Sequence, residues 1–296
     1  MKKLFLAAGL LASMSAANAY QTEVNASYEN TDIDDVKSDV DTFNIGGKYY
    51  FASVSNNKAP LAEAAFLNRA SNIALAYSHA KTDADIDAAE FVNIPTNVIY
   101  VNTDIKADVI GLSGEYYVPN SQFYVSANVN HTKIEVDASG FGSDDDSGTG
   151  YAVEVGFLPV NGLLLAIGAT DMDESVDPTL VANFGTVSAI GAAFSAGEDT
   201  AATLRSKYVT RIGNNDFNFE SKVIIGDEAA YRFAADVYFD PTLSVGASLA
   251  KSTIDDTHSV YGIRAQKFLT PVAAVGLGYS TTDGADSFGI NGTFRF

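Results

Sequence analysis

Apolar or small residues recur at every second position through much of the chain. They do so at Phe43, Ile45, Gly47, Tyr49 and Phe51, at Phe123, Val125, Ala127 and Val129, and at Tyr151, Val153, Val155 and Phe157. The pattern returns at Phe217, Phe219, Val223 and Ile225 and at Tyr231, Phe233, Ala235, Val237 and Phe239. A period of two is that of an extended strand, whose side chains point alternately to opposite faces, so each run predicts a strand with one apolar face. Between these residues stand Asn44 and Lys48, Ser126 and Asn128, Glu154, Glu220 and Lys222, and Arg232 and Asp236. Alternation alone suits a half-buried sheet as well as a barrel. Its repetition in nearly every segment, with aromatics at the ends of the apolar face, favours lipid-facing strands of about ten residues with interfacial girdles.

The linkers fall into two sets that alternate along the chain. One set is short and nearly free of acid: VPNSQ at 118–122, LPVNG at 158–162, GNND at 213–216, FDPTL at 239–243 and LTPVA at 269–273. Proline recurs there because it presets a turn and cannot sit in a central strand. The other set is acidic and mostly longer: 32–41, 83–90, 137–146, 171–177, 198–199, 227–228, 255–256 and 283–286. Short periplasmic turns and longer extracellular loops are the habit of an outer-membrane barrel, so the acid is expected to face outward.

This rule predicts strands over 21–31, 41–52, 71–82, 104–118, 122–135, 149–158, 162–171, 201–212, 216–226, 229–239, 243–252, 258–269, 272–281 and 287–296. The expected fold is an all-β, antiparallel, up-and-down transmembrane barrel of 14 strands, with 12 or 16 left open by residues 172–200. There Phe184, Thr186, Ser188, Ile190, Ala192 and Phe194 share a strand parity, while Leu180, Phe184 and Val187 fit one face of a helix. A long extracellular loop keeps the strand number even, as bacterial single-chain barrels require. The segment SNNKAPLAEAAFLNRAS at 55–71 breaks the short-turn rule and predicts a short periplasmic helix near 60–67, with Pro60 near its first turn.

The two ends of the chain fit that frame. FGINGTFRF closes the sequence, with Phe288, Ile290, Gly292, Phe294 and Phe296 on one parity. A terminal strand normally frays, but in a closed barrel it pairs with the first strand and has no free edge. At the other end Lys2 and Lys3 precede the apolar run 4–12 and the small-residue ending Ala17-Asn18-Ala19. This reads as a signal peptide over 1–19, cleaved to leave 20–296 as the barrel in the outer membrane of a Gram-negative cell.

Composition narrows the chemistry. The formal net charge is -19, and more negative by two once Lys2 and Lys3 are lost, which makes nucleic acid and acidic membrane surfaces poor partners. Cysteine is absent, removing disulfide, zinc-thiolate and cysteine-nucleophile chemistry. Beyond residue 19 no stretch of eighteen apolar residues occurs, so a helical membrane protein is excluded.

APLAEAAFLNRAS running into NIALAYS, with RSKYV at 205–209, DPTLSVGASLA at 240–250, FLTPVAAVGLGY at 268–279 and the closing FRF, resembles the general bacterial porins. The likeness is firmest in strands and short turns and weakest in the acidic loops. It implies a monomeric fourteen-stranded barrel passing water and small solutes, with no catalytic residues and no cofactor. Its C-terminal strand ending in Phe296 also looks like the signal read by the barrel-assembly machinery. The expected partners are outer-membrane lipid and lipopolysaccharide, that machinery, and small solutes.

Strand parity places Glu23, Glu29, Glu115 and Glu154 in the lumen on the early strands, together with Lys48. Arg205, Lys207, Lys222, Arg232, Arg264 and Arg295 follow on the later strands, with Glu220 and Asp236 among them. Two arrangements are open: an acidic wall facing a basic one across a pore, or charges paired over adjacent strands that fill the lumen. An enzyme has little to work with. Only His79, His131 and His258 are available, and neither G-x-S-x-G nor H-E-x-x-H is present. Asp144-Asp145-Asp146 lacks the spacing of a calcium loop. The remaining rival is a constricted structural or adhesive barrel that acts through its acidic loops.

Overall fold

The computed structural model describes residues 19–34, 38–57, 60–87, 100–140, 142–171, 200–253 and 258–296. Its strands are β1 (Ala19–Ile33), β2 (Ser38–Ser55), β3 (Asn72–Asp87), β4 (Tyr100–Tyr117), β5 (Phe123–Ala138), β6 (Gly142–Phe157) and β7 (Leu163–Asp171). They continue as β8 (Ala201–Ile212), β9 (Asn215–Ile225), β10 (Ala229–Asp240), β11 (Leu243–Ser252), β12 (Val260–Thr270), β13 (Ala273–Thr282) and β14 (Ala285–Arg295). Each pairs antiparallel with its sequence neighbours, and β14 pairs with β1 to close the barrel at fourteen strands. The expected leader and the loop 172–200 lie outside the described residues, apart from Ala19, which opens β1, and Thr200.

Burial is inverted relative to a water-soluble fold. On β2, Phe43, Ile45, Tyr49 and Phe51 are exposed on the outer face, while Thr42 and Asn44 are buried on the inner one. The same holds for Val125 and Val129 against buried Asn130 and Thr132 on β5. An apolar exterior of this extent is stable only against hydrocarbon, and a closed ladder satisfies every strand without water. At one end of the belt the hydroxyls of Tyr28, Tyr77 and Tyr279 donate to Asp41 at 2.5 Å, Asp108 at 2.5 Å and Asp286 at 2.8 Å. Each ring stays in the apolar layer while its polar tip meets the aqueous side.

The terminal strand pairs with β13 on one edge and with β1 on the other, where its last residue is held. Phe296 N–H donates to the Thr22 carbonyl at 2.9 Å, and the Phe296 carbonyl accepts from the N–H groups of Gln21 and Thr22 at 2.7 and 2.9 Å. The short turns need particular backbones. Gly162 has φ +81°, and a Cβ there would lie 2.3 Å from the Val209 carbonyl oxygen, so no side chain fits.

One expectation is corrected. Residues 32–41, 83–87 of the expected loop 83–90, and 137–146 are largely strand rather than loop: β1 and β2 pair as far as Ile33 with Ser38, β3 and β4 as far as Asp87 with Tyr100, and β5 and β6 as far as Ala138 with Gly142. Once a hairpin is paired its ladder propagates, and the acid is tolerated because Lys133 bridges Glu135 at 2.6 Å and Asp145 at 3.8 Å. A 3-10 turn over Leu61–Glu63 and one α-helical turn, α1 (Ala64–Leu67), fold into the barrel at the short-turn end.

Candidate functional site: the barrel lumen

The interior holds two adjoining cavities of about 320 and 90 Å³. All thirteen charged positions assigned to the inner face by parity border one or both. Lys48, Glu115, Arg205, Glu220 and Arg232 border both; Glu154 and Lys222 border the smaller; Glu23, Glu29, Lys207, Asp236, Arg264 and Arg295 border the larger. Glu63, from the inward segment, joins them.

These groups are largely paired, not arrayed as opposing walls. Lys207 contacts Glu220 on the neighbouring strand at 2.7 Å, and Arg295 contacts Glu23 across the β1–β14 seam at 2.7 Å. Two pairs skip a strand: Arg205 of β8 reaches Glu154 of β6 at 3.1 Å, and Arg264 of β12 reaches Asp236 of β10 at 2.7 Å. The second is bidentate, with Arg264 Nε donating to one carboxylate oxygen at 2.8 Å and Nη2 to the other at 2.7 Å. Register explains how it forms. Gly246 of β11 stands directly between Asp236 and Arg264, and a Cβ there would come within 2.1 Å of the Asp236 carboxylate. Glu115 is held by the Asn72 amide at 2.9 Å and the Tyr124 hydroxyl at 2.9 Å.

The inward segment forms a floor across the short-turn end, with contacts on nearly every side. Ala64 packs with Tyr20, Tyr50 and Val54 of β1 and β2, and Leu61 packs with Phe268 and Ala274 of β12 and β13. Phe66 rests on Tyr117, Tyr124, Leu158 and Leu164. Polar contacts secure it: Arg295 donates to the Leu61 carbonyl at 2.9 Å, Leu61 N–H donates to the Pro241 carbonyl at 2.9 Å, and Arg69 donates to the Ser121 carbonyl at 3.1 Å. At the centre Glu63 accepts from Tyr238 at 2.8 Å and bridges Lys207 at 2.8 Å.

Glu63 is the lumenal residue that parity could not find, because it lies on no strand. A signal was present all the same. In PLAEAAFL every residue but Glu63 is apolar, an unlikely composition for a turn immersed in water and a suitable one for a segment packed on all sides. His79, His131 and His258 border neither cavity; they contact Asp108 at 2.8 Å, Thr149 at 3.0 Å and Asp283 at 3.4 Å.

The barrel is closed, its interior is charged and narrowed, and its outer belt is apolar. The family model described as "Putative general bacterial porin" matches residues 1–296. The chain belongs to this porin family. Among solved structures, the porin resembles the Acinetobacter baumannii outer membrane protein Omp33, with a TM-score of 0.65 and 29% identity over 94% of this chain and 99% of that one. The Pseudomonas putida toluene transporter TodX matches with a TM-score of 0.55 at 8% identity, covering 95% of this chain and 91% of TodX. The monoaromatic hydrocarbon channel CymD matches at 0.51 and 9%, covering 97% of this chain and 91% of its own. At such identities these two show the fold alone. No curated protein sequence matches the porin. Family and fold together give an outer-membrane location and a channel role.

Proposed function

We propose that this porin is a passive channel for water, ions and small hydrophilic solutes, narrow because its periplasmic segment and paired charges occupy much of the lumen. The observation that carries the reading is a cavity system of about 320 and 90 Å³ lined by charged groups within an apolar-coated barrel. Neither a cofactor nor a catalytic group is assigned. In this reading the chain is exported by its leader, assembled through its C-terminal strand, and works as a monomer among outer-membrane lipid and lipopolysaccharide.

One observation favours a second reading. The floor spans the periplasmic mouth, as in a sealed barrel acting through its exposed acidic connections. Refolded mature protein in a planar bilayer separates the two. Steady, small single-channel conductance, altered by charge reversal at Glu115 or Arg232, is expected of the channel. Protein that shows the heat-modifiable mobility of a folded barrel but carries no current would leave the sealed barrel.

A further inference from the structure

The inward segment is short, and its means of attachment suggest how it is released. A single α-helical turn has no stability of its own, so the closed arrangement depends on what the barrel wall provides. One of those contacts is made by a buried carboxylate: Glu63, 7% exposed, held by Lys207 and Tyr238. Lys207 also carries Glu220 at 2.7 Å and lies over the Phe66 ring at 5.2 Å. Glu63, Lys207, Tyr238 and Glu220 all border the larger cavity, so a solute that reaches this space is already beside the contact.

We propose that Lys207 and Tyr238 form a binding site for small carboxylate solutes, in which Glu63 is a tethered stand-in for the solute, and that exchange of one carboxylate for the other frees the floor and opens the periplasmic end. This rests on the channel reading above. Departure of Glu63 leaves Lys207 with Glu220 as its one remaining close counter-charge and Tyr238 without its acceptor, and a buried polar group left unpaired is costly. Replacing Glu63 by a dissolved carboxylate avoids that cost, since Lys207 keeps its counter-charge and Tyr238 its acceptor. What opposes opening is then the apolar packing of Leu61, Ala64 and Phe66 on the wall and the hydrogen bonds of Leu61 with Arg295 and Pro241 and of Arg69 with Ser121. A solute that can bind only after Glu63 has left favours the open form by that difference alone. Neutral solutes of the same size lack the charge to make the exchange.

Bilayer recordings of the mature chain in chloride test this with acetate as the probe and acetamide as its neutral counterpart. Acetate should raise the open probability and acetamide should leave it unchanged. Glu63→Gln should raise it by roughly tenfold or more without any addition, as loss of one charge-assisted contact predicts, and should blunt the acetate response. The chain has no native cysteine, so Leu61→Cys with Pro241→Cys places one disulfide where the two backbones already hydrogen-bond. The oxidised form should stay closed in acetate and recover on reduction. Equal effects of acetate and acetamide, a Glu63→Gln variant that behaves as wild type, or an oxidised tether that conducts as the reduced one would each overturn the exchange while leaving the channel intact. Silence of every folded form, the reduced tether and Glu63→Gln included, would overturn the channel reading itself.

Discussion

At the scale of single residues, the lumen depends as much on where side chains are missing as on where charges stand. Asp236 and Arg264 lie on strands that are not neighbours, and their bidentate contact passes over the bare backbone of Gly246. Gly246→Ala would drive a methyl group to within 2.1 Å of the carboxylate, against a side chain that is itself buried. The pair must shift or break, and the expected loss is about 1–3 kcal/mol, the usual cost of overpacking. A lower midpoint for the heat-dependent change in electrophoretic mobility measures it. Adding Arg264→Met to Gly246→Ala should cost little more, because both changes disable one contact. Full additivity would show that the glycine serves only the backbone. Sequence parity placed both charges on the inner face but could not show that they meet, since strands that skip a neighbour have no fixed offset in the chain.

At the scale of elements, strand number and facing were legible because lipid on one side and a polar interior on the other enforce strict alternation. Strand ends were less so. Acidic residues read as loops, yet the β5–β6 hairpin carries Asp144, Asp145 and Asp146 within a paired strand. The floor was legible as a helix but not as an inward one, since its position depends on partners drawn from most of the barrel. The C-terminal strand joins these themes. Arg295 stacks on Tyr20 and Phe268, each at 4.6 Å, while its guanidinium holds Glu23 and the Leu61 carbonyl. Deleting Phe296 removes the last rung of the β1–β14 seam and leaves this knot at an open end. The expected outcome is reduced assembly in cells with near-normal refolding in detergent, read as the folded fraction in each. Equal losses in both would place the defect in barrel stability rather than in recognition of the terminal strand.

For the whole molecule, charge is divided by location. The two cavities are bordered by seven carboxylates, Glu23, Glu29, Glu63, Glu115, Glu154, Glu220 and Asp236, and by seven basic groups, Lys48, Arg205, Lys207, Lys222, Arg232, Arg264 and Arg295. A balanced lumen inside a chain of net charge -19 leaves the excess acid elsewhere. Much of it stands at the end bearing the acidic connections, at Asp39, Asp41, Asp83, Asp104, Glu135, Asp137, Asp144, Asp145, Asp146, Asp227 and Glu228. Such a field concentrates cations at that mouth before they meet a lumen with little preference of its own. Its reach is set by salt, with a Debye length of about 10 Å at 0.1 M and about 3 Å at 1 M. Reversal potentials across a salt gradient should therefore show cation preference near 0.1 M that fades toward parity near 1 M. Changing Asp144, Asp145 and Asp146 to Asn should weaken the low-salt preference and leave the high-salt value unmoved, because these residues border neither cavity. A preference that persists at 1 M would instead require an unbalanced ring inside the barrel, where paired charges are screened far less than those in the mouth.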